Sequence, residues 1–152
     1  MNRLYLLRKL LVSVRLVWLR RVLGMDIHPS AEMSLRARPD RTFPGGVHIG
    51  PRSYVAFEAC VLTHDRTRGL YLHTRVGQDC FIGARSLILP GVTVGNNVIV
   101  AAGAIVTRDV PSGCVVAGNP ARILRRSDQI GPYGRFHYAD ESEADLARRG
   151  LT

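Results

Sequence analysis

VGQDCFIGARSLILPGVTVGNNVIVAAGAIVTRDVP, residues 76–111, repeats every six residues. Val76, Ile82, Ile88, Val94, Val100 and Val106 open the units VGQDCF, IGARSL, ILPGVT, VGNNVI, VAAGAI and VTRDVP. The first place is always β-branched and aliphatic, and the second is mostly Gly or Ala. The fifth place is Cys80, Ser86, Val92, Val98, Ala104 or Val110, all small or medium. A strict period of six fits neither the helical period of about 3.6 nor the alternation of an ordinary strand. It is the repeat of a parallel β-helix, in which each hexapeptide makes one short strand and one turn, and three hexapeptides close one triangular coil. Stacked coils turn the first places into aliphatic ladders facing inward. Glycine at the second place relieves the strain of the corner.

The register continues upstream. Ile49, Val55 and Val61 stand six apart, and Ile27 and Met33 read as an earlier, degenerate turn. Residues 39–48 (PDRTFPGGVH) are Pro- and Gly-rich and read as a corner loop. Val61 and Val76 are fifteen apart, not a multiple of six, so residues 64–75 (HDRTRGLYLHTR) must bulge from the stack. Insertions in a solenoid project from one face, often the binding face, and this one opens on His64.

The length of 152 residues suits one domain. A solenoid buries its core between repeats, so both ends need caps. The sequence divides into a basic, apolar helix over 1–24, a repeat domain over 25–126 and a tail over 127–152 that is a candidate flexible segment. The net charge is +9, and six basic residues fall before residue 24 with no acidic residue among them. That balance allows an anionic membrane surface, a phosphorylated ligand or nucleic acid. The arginines are not interleaved with aromatics on any nucleic-acid module, which argues against nucleic acid. The longest uncharged run before Gly24 is five residues, Leu10 to Val14. A spanning helix needs about 20 mostly apolar residues, and no small-residue cleavage site follows. The segment reads as a helix ending at Gly24 that packs on the stack, on a sister subunit, or on a membrane surface. Its charges do not collect on one face. Cys60, Cys80 and Cys114 are odd in number, lack zinc-ligand spacing and read as small packing residues of a reducing compartment.

The motifs LPGVTVG (89–95), VAAGAIVTRDVP (100–111) and GNPARIL (118–124) make the chain resemble the hexapeptide-repeat acyltransferases. It is most similar to the maltose and galactoside O-acetyltransferases and their relatives in polysaccharide synthesis, over about residues 46–126. The resemblance implies an all-β, left-handed parallel β-helix of about five coils, with an N-terminal helix and a short C-terminal helix at GNPARIL. It implies acetyl-CoA as acyl donor, a sugar-like hydroxyl acceptor, a homotrimer with active sites between subunits, and no metal. The histidine of VLTHD (61–65) falls where the family carries its base, so His64 is the candidate catalytic residue, with Asp65 a candidate partner for its ring. A sugar hydroxyl is a poor nucleophile, and a neutral imidazole can take its proton as it attacks the thioester. Tyr71 and His73, in the same loop, are candidate acceptor contacts. The resemblance also assigns Gly83, Ala84 and Ala102 to the pantetheine chain of acetyl-CoA, and Thr107, Arg108, Arg122 and Arg125 to the rest of that donor. Arg122 and Arg125 are expected on one face of a short helix capped by Asn119.

Other readings are an N-acetyltransferase of amino sugars and a β-helix that has lost its activity. A zinc carbonic anhydrase would need three His ligands on one open site, and His28, His48, His64 and His73 do not show the close pair in a late repeat that it requires. The cysteine usage leads to the expectation of a cytoplasmic protein, with residues 1–24 available for peripheral attachment to the inner face of the membrane.

Overall fold

The computed structural model describes residues 3–151. Helix α1 (Arg3–Arg21) precedes a first turn of strands, β1 (Asp26–Ile27), β2 (Glu32–Met33) and β3 (Arg38–Pro39). The second turn is β4 (Val47–Ile49), β5 (Tyr54–Val55) and β6 (Cys60–Val61). A hairpin, β7 (His64–Asp65) and β8 (Leu70–Tyr71), interrupts the path. The third turn is β9 (Thr74–Val76), β10 (Phe81–Ile82) and β11 (Leu87–Ile88), and the fourth is β12 (Thr93–Val94), β13 (Ile99–Val100) and β14 (Ile105–Val106). β15 (Cys114–Ala117) starts a further turn, β16 (Arg122–Arg126) runs back along it, and helix α2 (Ala139–Arg148) follows.

Corresponding strands pair in parallel and build three faces. β1, β4, β9 and β12 form the first, β2, β5, β10, β13 and β15 the second, and β3, β6, β11 and β14 the third. The aliphatic residues fall into register as three inward ladders. They are Ile27–Ile49–Val76–Val94, Met33–Val55–Ile82–Val100–Val116 and Pro39–Val61–Ile88–Val106. Val55, Val61, Ile82, Ile88 and Val100 are completely buried. Each such side chain contributes about 1.5–3 kcal/mol on leaving water, and solvent-facing ion pairs at the corners are the weaker contribution. The ladders hold the fold. The corner pairs, Arg36–Glu58–Arg85 at one edge and Arg52–Asp79 at another, align successive turns.

The small second place has a steric cause. A Cβ on Gly83 would lie 2.5 Å from the Val100 carbonyl oxygen and 2.6 Å from the Ala102 nitrogen, both backbone atoms of the next turn. Gly103 also sits at a corner, with φ +71, but a Cβ there meets nothing within 4 Å. Gly83→Ala must therefore spread two turns, whereas Gly103→Ala carries only left-handed strain of about 1–2 kcal/mol. Thermal unfolding is expected to show a lower Tm for Gly83→Ala than for Gly103→Ala. Equal losses would mean that the stack relaxes around residue 83.

The two ends are closed by different chemistry. First-turn N–H groups donate upward, as from His28 to Ile49 and from Ser34 to Val55, which leaves first-turn carbonyls facing the N-terminal end. α1 lies across that end and buries Leu16 and Leu19. Arg15 donates to the carbonyls of Ser34 (2.8 Å) and Ala37 (2.5 Å), and Arg20 to those of Ile27 (2.8 Å) and His28 (2.7 Å). Two of the basic residues of α1 are thus caps for orphan carbonyls. At the other end β16 pairs antiparallel with β15, with a register shift between Val115 and Val116.

This corrects the expectation of a short helix at GNPARIL. The open edge of β15 offers backbone partners that only an extended strand can use. The C-terminal helix is α2, after residue 138. Between β16 and α2 the chain returns along the stack. Asn97 donates to the Ile130 carbonyl, the Tyr133 N–H to Arg52, and the Tyr133 hydroxyl to Ser30. Residues 127–138 thereby reach from the fourth turn to the first.

Candidate active site

The edge between the third and first faces carries the two long connections of the coil stack, residues 40–46 and 62–73, with residues 89–92 and 107–109 above them. Asp40 leaves β3 at this edge and is 93 % buried. Its Oδ1 accepts from the Thr42 N–H (2.8 Å), and its Oδ2 from the N–H groups of Thr63 (3.0 Å) and His64 (3.2 Å). The ring Nδ1 of His64 stands 2.5 Å from the same Oδ2. Burial alone would push the Asp40 pKa up, but the Thr63 N–H, the His64 ring and the Thr42 N–H outweigh it, and the value falls to about 2. Asp40 is therefore a carboxylate with no proton to give. His64 Nδ1 must donate, and in the neutral ring that leaves Nε2 as a lone-pair acceptor.

His64 is held on the short hairpin of β7 and β8, where it pairs with Tyr71. The Leu72 N–H donates to Thr63 (2.7 Å), and the Thr63 hydroxyl donates to the Phe43 carbonyl (2.7 Å), tying hairpin base to corner loop. Leu72 packs beside Gly91 of the next connection. His64 lines a cavity of about 440 Å³ together with Thr42, Asp65, Arg66, Gly69, Leu70 and Tyr71.

Asp65 is not the partner of the His64 ring, and this corrects the expectation from the sequence. Its carboxylate accepts from the Thr67 hydroxyl (2.6 Å), the Arg68 N–H (3.0 Å) and Arg68 Nε (2.6 Å), which close the hairpin turn. Those donors hold its pKa well below the usual carboxylate range, the Thr67 hydroxyl foremost. Neighbours on a strand point to opposite faces, so residue 65 turns away from the side to which residue 64 points.

Of the two candidate acceptor contacts, Tyr71 borders the His64 cavity and His73 does not. His73 turns to the first face, where its Nδ1 lies 2.7 Å from His48 Nε2, and His48 Nδ1 lies 2.8 Å from Asp26. The Phe43 ring stands edge-on between Tyr71 (5.8 Å) and His73 (5.5 Å). Thr107 and Arg108 lie exposed two turns above His64 on the same edge. Ala84 and Ala102 are stacked at a different edge, between the second and third faces, with Gly83, whose N–H donates to Val100. Arg122 and Arg125 are exposed on β16, and the Arg125 guanidinium rests over Phe136 at 5.1 Å. The register shift sets Arg122 opposite Ala117 and Arg125 opposite Val115, two residues apart on β15, so the two arginines share the outer face of the strand pair rather than one side of a helix.

Comparison with known proteins agrees with this architecture. Residues 73–108 match the family model described as the hexapeptide repeat of succinyl-transferase. A putative acetyltransferase of Bacillus subtilis (strain 168), YvoF, is 34% identical over 116 residues, covering 74% of this chain and 67% of that protein. This chain belongs to the hexapeptide-repeat acetyltransferases. A 2,3,4,5-tetrahydropyridine-2,6-dicarboxylate N-acetyltransferase of Staphylococcus aureus (strain JH9) is 53% identical over 55 residues, which span 36% of this chain and only 23% of that enzyme. Among solved structures, a maltose O-acetyltransferase from Clostridium difficile 630 superposes with a TM-score of 0.61 at 22% identity, over 84% of this chain and 90% of that one. A hexapeptide-repeat acetyltransferase of Vibrio cholerae complexed with acetyl-CoA gives a TM-score of 0.55 at 23% identity, over 75% and 76%. At those identities the structural matches establish a shared fold.

Proposed function

We propose that this acyltransferase moves the acetyl group of acetyl-CoA to a hydroxyl of a sugar-like acceptor, with His64 as general base and Asp40 orienting it. The observation that carries the reading is the 2.5 Å contact between His64 Nδ1 and a buried carboxylate, beside a polar cavity. Nε2 takes the acceptor hydroxyl proton as its oxygen adds to the thioester carbonyl. Collapse of the tetrahedral adduct breaks the C–S bond, and the imidazolium returns the proton to the departing thiolate. Asp40 stabilises the imidazolium and remains ionised throughout. Alignment of two bound substrates supplies much of the remaining acceleration.

The separation of the CoA candidates supports assembly as a homotrimer, with each site shared between subunits. Ala84 and Ala102 occupy a different edge from His64, and packing of adjacent stacks edge to edge would bring the two around one extended cofactor. Gel filtration and sedimentation of a fully active monomer would overturn the shared site.

The activity is tested by following free thiol while acetyl-CoA is presented with monosaccharides, oligosaccharides, glycolipids and amino sugars. Thiol release with hydroxyl acceptors supports the proposal. Release only with amines makes the chain an N-acetyltransferase, and no release together with no thermal stabilisation by acetyl-CoA makes it an inert β-helix. Arg108→Ala and Arg122→Ala are expected to raise the KM for acetyl-CoA more than they lower kcat, as for groups that bind donor far from the reacting carbonyl. Equal KM values in wild type and both variants would remove these residues from the donor site.

A further inference from the structure

The side of α1 that faces away from the coil stack is apolar. Leu6, Leu7, Leu10, Val14, Val17 and Trp18 are each 39–60 % exposed. Their spacing places them on one broad side of the helix, opposite Val12, Leu16 and Leu19, which turn toward the first coil. The basic residues have a different place. Arg8, Lys9, Arg15 and Arg20 lie on the flanks and the stack side, Arg21 ends the apolar side in the last turn of the helix, and no acidic residue occurs before Asp26. The helix is thus apolar outward and cationic at its borders.

The cationic border continues into the first coil. Arg15, Arg38 and Arg41, with Ala37 and Pro39, line an open cleft of about 350 Å³ beside the helix. Arg41 stacks on the Trp18 ring at 5.6 Å. Burial, and then the nearby charge of Arg41, hold the Arg15 guanidinium below its ordinary value. An anion in the cleft would relieve that repulsion.

We infer that α1 docks on the surface of an anionic phospholipid bilayer, its outward leucines and valines in the acyl boundary and the exposed Arg8, Lys9 and Arg41 at the level of the phosphates. No helix among the described residues is long and apolar enough to cross a membrane. A 19-residue helix lying in the surface presents a strip about 28 Å long, and such helices bind through apolar burial plus attraction to anionic headgroups. Charge selects this occupant over a second copy of the chain. Two copies of the face would bring their basic rims together, whereas an anionic surface neutralises them. Arg41 and Asp40 are adjacent, so the docked helix would hold the loop of the His64 dyad close to the membrane.

The test is flotation of the full-length protein with vesicles of phosphatidylcholine, alone or with about one quarter phosphatidylglycerol. The wild type is expected to float with anionic vesicles at least about tenfold more than with neutral ones, and to be released by high salt. Leu10→Glu/Val14→Glu should abolish flotation, and Arg8→Glu/Lys9→Glu should weaken it, with Tm and acetyl-CoA stabilisation unchanged. Failure of the wild type to float, equal binding to neutral vesicles, or unchanged flotation of Leu10→Glu/Val14→Glu overturns the inference. If the wild type does not float and that double variant sediments as a smaller species, the face is covered by a second copy instead.

Discussion

His64→Ala is expected to lower kcat by about 10²–10⁴-fold, the usual loss of a general base, and to leave the protein folded and able to bind acetyl-CoA. The structure separates the two effects. The His64 side chain is 31 % exposed, at the mouth of its cavity, so its removal opens no hole in the ladders. Asp40 keeps the N–H groups of Thr42, Thr63 and residue 64 as donors, because all three are backbone. The corner loop and hairpin therefore stay joined. The measurement is thiol release at saturating acetyl-CoA, alongside the thermal shift that acetyl-CoA produces. A variant with near-wild-type kcat would remove His64 from the chemistry. A variant that no longer responds to acetyl-CoA would mean that His64 holds the donor rather than activating the acceptor.

The hexapeptide register carried most of the fold because each period encodes one strand, and a strand of two residues has little other freedom. Ile27, Met33 and Val61 could be placed on their ladders without seeing a neighbour. The bulge between Val61 and Val76 followed from arithmetic, and so did its position beside His64. The form of β16 did not. Asn119 and Pro120 carry good helix-start signals, but the unpaired edge of β15 outweighed them, and no local pattern reports a free edge. The outward apolar side of α1 was visible only as an excess of leucine and valine, since a helix carries no mark of which side meets the stack.

Asp40 was missed for a related reason. It follows Pro39 as Leu62 follows Val61, at a place where other turns bear small or apolar residues. A carboxylate there was a legible anomaly. Its partner is 24 residues away, however, and only the stacking of β3 beneath β6 brings the two together. Asp65, adjacent to the histidine, was the candidate that sequence proximity suggests, and the pleat of the strand turned it aside.

Asp40→Ala should be more damaging to the protein than His64→Ala. The substitution strips an acceptor from the N–H groups of Thr42, Thr63 and His64 and from the His64 ring. Each buried donor left unpaired costs about 1–3 kcal/mol. With some relief from entering water, a total of about 3–5 kcal/mol is expected, in the range typical of a broken buried network. Turnover should fall as well, because nothing then fixes the proton on Nδ1 and the lone pair on Nε2. Asp40→Asn preserves the volume and part of the accepting capacity, and should recover much of the stability but little of the kcat. The pH dependence supplies an independent sign. The folded-state pKa of Asp40 is lowered from 3.8 to about 2, so the unfolded chain binds the proton more readily than the native one. The ionised group's contribution is complete above about pH 4 and is lost as pH falls toward 2. The stability advantage of the wild type over Asp40→Asn, measured by urea unfolding, should therefore shrink across that interval. An advantage that persists undiminished at pH 2 would show that the network does not depend on the charge of Asp40. The orienting role would then belong to another group.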